Sequence, residues 1–178
     1  HDALPIFQTT VNNYLSLLKQ NDKEVYGIKD LIKSALFNVD YRLRVHNVSV
    51  VRSFENYGEN VLISVSRRFF LSAMLNLLDN SIYWLDKKAR NQKKIDTLFE
   101  KKIYIDLVKE KGDSICILVA DNGNGFTLPT SQIVKPFITA KDHGMGLGLH
   151  ITNQIMKVLD GELAFPEKGD YEIPEEFG

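Results

Sequence analysis

The chain has 178 residues, 44% of them hydrophobic, with a formal net charge of −1 and a single cysteine, Cys116. That length suffices for one domain with its own core, and the charge gives no ground for a nucleic-acid or anionic-membrane partner. One cysteine excludes an internal disulfide framework and suits a reducing compartment, and no uncharged run approaches the ~20 apolar residues of a membrane span.

In chain order, Phe7, Val11, Leu15 and Leu18 stand at helical spacing, and so do Leu31, Ile32, Ala35, Leu36, Val39 and Leu43, so two helices are expected first. "NVSVVRSF" and "NVLISVS", separated by "ENYGEN", read as a strand pair with a turn. A long helix is predicted over 68–88, with Leu71, Leu75, Leu78, Ile82 and Leu85 as one buried stripe. Residues 103–108 and 115–120 read as a hairpin around "KEKGDS", with Cys116 in its core. Residues 122–143 lack periodicity and read as a mobile loop, and a helix over 147–159 follows.

Three stretches carry chemistry. Asn76 and Asn80 are four apart on the flank of the long helix, where two neutral amides can hold Mg²⁺ that is also bound by phosphates, or can simply be solvated. In "ILVADNGNGF" an apolar strand ends at Asp121, followed by Gly123 and Gly125. A carboxylate fixed there can accept a hydrogen bond from an exocyclic amine above glycines that let the chain turn, although a strand followed by an Asn-Gly turn has the same form. In "GMGLGLH", Gly144, Gly146 and Gly148 alternate directly before a helix, which suits an anion, or else make a loop without a ligand. No G-x-x-x-x-G-K-[ST] is present, "GMGLGL" lacks the last glycine of G-x-G-x-x-G, no H-R-D or D-F-G set occurs, and no Cys/His cluster suggests zinc.

Taken in order, "NLLDNSIYWL", "DNGNGF" and "PFITAKDHGMGLGLHI" resemble the N, G1, F and G2 boxes of the GHKL ATPase superfamily. Among its branches the likeness is greatest to the catalytic ATP-binding domain of bacterial sensor histidine kinases, over about residues 30 to 165. The resemblance implies an α+β fold, a two-layer α/β sandwich with a mixed, largely antiparallel sheet packed on helices. It also implies ATP and Mg²⁺ as cofactors, with Asn80 on the metal and the phosphates, Asn76 and Tyr83 lining the same site, Asp121 on the adenine amine and Gly123 and Gly125 as floor. Phe137, Thr139 and Lys141 fall in the lid, with Lys141 facing phosphate, and Gly144, Met145, Gly146, Leu147, Gly148 and Leu149 wrap the triphosphate ahead of the helix.

The expected activity is transfer of the γ-phosphoryl group to a histidine outside this chain, with Asn76, Asn80 and Lys141 as the catalytic set. GHKL hydrolases carry a glutamate base one turn before the second asparagine; this chain has Asn76, which cannot take a proton, so transfer is favoured over hydrolysis. Many histidine kinases have Lys and Tyr three and four residues after that asparagine. Here Tyr83 and Trp84 stand there, leaving Lys87, Lys88 or Lys141 to meet phosphate. The alternatives are a GHKL ATPase or conformational machine, and a nucleotide-sensing or anti-sigma-type serine kinase module.

The expected division is 1–26 as linker or tail of a dimerising hairpin and 27–178 as the ATP-binding domain with its C-terminal strand truncated. The expected partners are the phosphoacceptor histidine domain of the same protein or its dimer mate in a homodimer, and a downstream response regulator, with no nucleic acid and no direct membrane contact. The piece is expected to be cytoplasmic and part of a longer protein, whose anchoring in the inner membrane is left open. "HDALP" at His1 and Asp2 has too little chain after it to be the acceptor hairpin, His46 reads as a surface residue, and His143 and His150 read as packing or solvated. The lysines and arginine from Lys87 to Lys102 are interleaved with Asp86, Asp96 and Glu100 and read as a solvated stretch.

Overall fold

The computed structural model describes Pro5, Thr9 and residues 23–92, 99–142, 144–167 and 169–177. The apolar positions of the first predicted helix, together with His1, Asp2, Lys93, Lys94, Asp96 and His143, lie outside them. The first described element with a residue range is a strand absent from the sequence prediction, β1 (Lys23–Gly27), which runs directly into helix α1 (Ile28–Val45). Helix α1 buries Ile28, Leu31, Ile32, Ala35, Leu36, Val39 and Leu43, the set its three-and-four spacing predicts. It stops where Asn47 enters the left-handed region, φ 51°, which asparagine tolerates better than most residues.

Strands β2 (Val48–Arg52) and β3 (Leu62–Ser66) follow, but they do not pair with each other. β3 runs antiparallel to β1, with Val25 opposite Ser64, whereas β2 runs parallel to β4 (Lys101–Lys109), with Val50 opposite Ile103. The expected strand pair is therefore corrected. The connection over residues 53–61 is longer than the 2–5 residues of a tight hairpin loop. It begins with a 3₁₀ turn at Ser53–Asn56 that buries Phe54 completely, anchoring the chain away from β2.

The hairpin of β4 with β5 (Ile115–Asp121) forms as predicted, from Ile103 opposite Asp121 to Lys109 opposite Ile115. Its turn carries Gly112 at φ 78°, a conformation that glycine adopts without penalty. Helix α2 (Arg67–Gln92) spans the molecule, the one-turn α3 (Thr130–Ile133) interrupts the long loop, and α4 (Gly148–Val158) closes the helical layer. The principal core lies between α1, α2 and the strands, around Leu31, Ile32, Leu78, Ile82, Ile103 and Ile105, and α4 joins α2 through Phe69, Ala73 and Ile155. The outer face of the hairpin is also covered, because Tyr171, Ile173 and Phe177 pack over Tyr104 and Leu118. The result is a mixed, mostly antiparallel strand layer against a helical layer, as expected.

Candidate functional site

Helix α2 joins core and site. Leu78, Ile82 and Leu85 are fully buried on one side, which fixes the helix rotation and turns Asn76, Asn80, Tyr83, Trp84 and Lys87 toward the segment 137–149. The predicted stripe is shorter than expected. Leu71 and Leu75 are only half-buried, and the N-terminal half of α2 buries Phe69, Phe70, Ala73 and Met74 instead, because α4 packs against that end.

A cavity of about 310 Å³ opens between α2, the loop after β5 and the segment leading into α4. Asn76 and Asn80 form its α2 wall with Trp84, and Gly125 lies on the opposite side. Thr139, Lys141, Gly144 and Met145 come from the lid, and Gly146, Leu147, Gly148 and Leu149 lead into the N-terminus of α4. The first turn of that helix has no side-chain cap, so its orphan N–H groups and positive dipole end stand at the cavity. Asp79, Phe126, Thr127 and Ile138 also line it and were missed by the sequence reading. Asp79 had a local signal, its place beside Asn80 in "LDN"; the others become neighbours only through the folding of the loop.

The three alternating glycines do different things. At Gly144 a Cβ would sit 2.8 Å from Lys141 Cβ and 2.9 Å from Thr139 Oγ1, inside the turn closed by its N–H donating to the Lys141 carbonyl at 3.1 Å. Gly146 has φ 68°, and a Cβ there would meet the backbone N and O of Ile138 at 2.7 Å. Its own carbonyl accepts the Phe137 N–H at 3.0 Å, so the two sides of the lid are stitched together at this point. At Gly148 the nearest atom to an added Cβ is Asn76 Oδ1 at 4.0 Å. Of the three, Gly146 is demanded by the backbone around it, Gly144 is held by the close Lys141 and Thr139 side chains, and Gly148 is open.

Lys141 is the lysine that enters the cavity. Its ammonium donates to Asn80 Oδ1 and lies 4.9 Å from the centroid of the Tyr83 ring. Burial lowers its pKa from the ordinary lysine value, with Asp79 opposing the shift and Arg42 adding to it. Asp79 is itself ion-paired with Arg42 of α1. The other two lysines named as phosphate candidates are engaged elsewhere. Lys87 pairs with Asp142 at 3.4 Å and lies over the Trp84 ring, and Lys88 donates to backbone carbonyls beyond β5. Tyr83 stands outside the wall as a lid contact: its hydroxyl accepts the Asp142 N–H at 2.9 Å. Phe137, at φ 64° and half-exposed, likewise lies outside the cavity wall.

Asp121 and Gly123 stand just behind Gly125, off the cavity wall. Asp121 Oδ1 accepts the Gly123 N–H at 2.9 Å, and a Cβ on Gly123 would strike that oxygen at 2.6 Å. The remaining histidines are structural in geometry. His150 is buried with Nδ1 3.0 Å from the Val134 carbonyl, and His46 caps α1 with Nδ1 3.6 Å from Asp86. Among the described residues of the basic stretch, Arg90 and Lys101 reach Asp86, and Lys102 reaches Glu100 and Glu176. Cys116 is half-buried on β5.

A strand layer thus lies against helices, with a lidded cavity between a long helix and the N-terminus of another. Residues 65–173 match the family described as histidine kinase-, DNA gyrase B- and HSP90-like ATPase, and the chain belongs to that family. It is 29% identical over 161 residues to sporulation kinase B of Bacillus subtilis, covering 89% of this chain and 34% of that protein. To sporulation kinase C of the same organism it is 25% identical over 141 residues, 79% of this chain and 30% of that protein. The chain therefore spans about a third of the length of these relatives.

Solved structures share the fold. Acinetobacter baumannii histidine kinase AdeS superposes with a TM-score of 0.64 at 16% identity, over 92% of this chain and 71% of that one. The catalytic domain of histidine kinase ThkA gives 0.57 at 21%, over 76% and 80%.

Proposed function

We propose that this chain is the ATP-binding catalytic domain of a sensor histidine kinase, delivering the γ-phosphoryl group of ATP to a histidine outside it. The observation that carries this proposal is the convergence of Asn80, Lys141 and the uncapped N-terminus of α4 on one cavity beside the Asp121 loop. On this proposal Asp121 accepts the adenine amine above Gly123 and Gly125, and the α4 N–H groups, Gly144–Leu149 and Lys141 bind phosphate oxygens. Asn76 and Asn80 orient the triphosphate from α2, while Tyr83, Phe137 and Thr139 hold the lid.

The donors fit Mg²⁺ in one way. Among the described residues no group of three or more His, Cys, Asp or Glu can form a metal cage, and Asp79 is taken by Arg42. The Asn80 amide oxygen, which accepts the Lys141 ammonium in this structure, suits an ion that keeps its waters and phosphate ligands once Lys141 turns to phosphate. When bound, Mg²⁺ supplies neutralisation of triphosphate charge. Asn76 offers no base for water, so the site positions ATP for an acceptor and does not activate hydrolysis.

Because β1 pairs with β3, the ATP-binding domain starts at Lys23 and not at residue 27, and the residues before it serve as linker or hairpin tail. The acceptor histidine lies in the same protein or its dimer mate, and a response regulator receives the phosphoryl group. The domain works in the cytoplasm; among the described residues no helix is long and apolar enough to cross a membrane. The test is to incubate the full-length protein with γ-labelled ATP and Mg²⁺ and then treat the labelled protein with acid and base. Acid-labile, base-stable label is expected. Acid-stable label would replace the proposal with a serine kinase, and free phosphate without labelled protein would replace it with an ATPase.

A further inference from the structure

Lys88 has no part in the roles above, yet its ammonium is placed with care. It donates to the backbone carbonyls of Asn122 at 2.7 Å and Gly123 at 3.1 Å, and it lies 4.5 Å from the centroid of the Phe99 ring. Both carbonyls belong to the turn that holds Asp121, whose Oδ1 accepts the Gly123 N–H. The same turn is tied on its other side by Asn122, whose side chain accepts the Lys102 N–H at 2.8 Å and donates to the Glu100 carbonyl at 2.8 Å. The turn is thereby fastened to α2 by Lys88 and to the start of β4 by Asn122.

We infer that Lys88 is a positioning residue that presets the Asp121 carboxylate for a purine bearing an exocyclic amine, and so contributes to selection of ATP over GTP. The inference rests on the proposed role of Asp121 as the adenine acceptor. An ionised carboxylate only accepts hydrogen bonds. With Oδ1 engaged by Gly123, Oδ2 is the oxygen left to receive the 6-amine of adenine, whereas the 6-carbonyl of guanine would face it acceptor to acceptor. Discrimination of this kind depends on the carboxylate staying where the amine arrives, because a site that can shift can also accommodate the wrong base. Two convergent carbonyls need a cationic side chain with several donors, which lysine supplies.

The experiment measures binding of Mg·ATP, Mg·GTP and Mg·tripolyphosphate to the 178-residue chain, to Lys88→Met, to Lys88→Arg and to Asp121→Asn, with circular dichroism as the folding control. For Lys88→Met, ATP affinity is expected to fall about tenfold while tripolyphosphate affinity stays within about twofold, so that the ATP-to-GTP ratio narrows. Lys88→Arg, which keeps the N–H donors, is expected to restore most of that ratio. Unchanged ATP affinity in Lys88→Met, or equal loss for ATP and tripolyphosphate, would overturn the inference. If Asp121→Asn loses ATP and Lys88→Met does not, the role of Lys88 alone fails. If Asp121→Asn binds ATP normally, the adenine assignment fails and takes this inference with it.

Discussion

Gly144, Gly146 and Gly148 look alike in "GMGLGL", but they answer to different neighbours. A methyl group on Gly146 would be placed at φ 68° and 2.7 Å from the Ile138 backbone, which cannot give way as a flexible side chain would. Gly146→Ala is therefore expected to unseat the lid and weaken ATP binding by about tenfold or more, as read by calorimetric titration. Gly148→Ala meets nothing closer than 4.0 Å and replaces glycine at the start of a helix. Its nucleotide-free thermal midpoint should be unchanged or slightly raised. The sequence showed the three glycines as a set because their spacing is local. Their separate roles were hidden because Ile138, which decides the case of Gly146, is brought there only by the folded lid. The choice among Lys87, Lys88 and Lys141 was hidden for the same reason: all three are plausible by position, and only the contacts to Asp142, Asn122 and Asn80 separate them.

At the scale of elements, α2 couples stability to the site. Ile82 is buried at 1% exposure, next to Tyr83 and one turn after Asp79, and Ile82→Ala is expected to lower unfolding free energy by about 2–5 kcal/mol in denaturant titration. Farther along α2, burial pushes the Asp86 carboxyl up, but hydrogen bonds from Arg90 and Lys101 overcome it and hold the pKa at about 2. A carboxylate depressed in the folded state stabilises the fold above its unfolded pKa, and that stability is lost as pH falls from about 4 toward 2. Asp86→Asn should remove about 1–2 kcal/mol at neutral pH and flatten the stability profile over that window. Helices α1, α2 and α4 were legible in the sequence because a 3.6-residue period is a local property, and the β4–β5 hairpin because its turn is short; the single turn α3 is too short to show a period. The partners of β2 and β3 were not, since β2 meets a strand some fifty residues away and β1 carries only a five-residue signal.

For the whole molecule, layering of strands on helices places the middle of α2, the loop after β5 and the N-terminus of α4 around one cavity, and Asn76, Asn80, Gly125, Lys141 and Gly144–Leu149 of the ordered motifs line it. The C-terminal cover over Tyr104 and Leu118 was not foreseen, because Tyr171, Ile173 and Phe177 are spread through a segment without periodicity. The central claim is that ATP spans this cavity and the Asp121 loop beside it, held by Asn80 on the phosphate side and Asp121 on the adenine side. The most direct measurement is a calorimetric titration of ATP, with and without Mg²⁺, into the chain and into Asp121→Asn and Asn80→Ala. The expected result is one site, lost by about tenfold or more in Asp121→Asn under both conditions and weakened in Asn80→Ala chiefly when Mg²⁺ is present. Affinities for both variants equal to that of the unaltered chain would contradict the account.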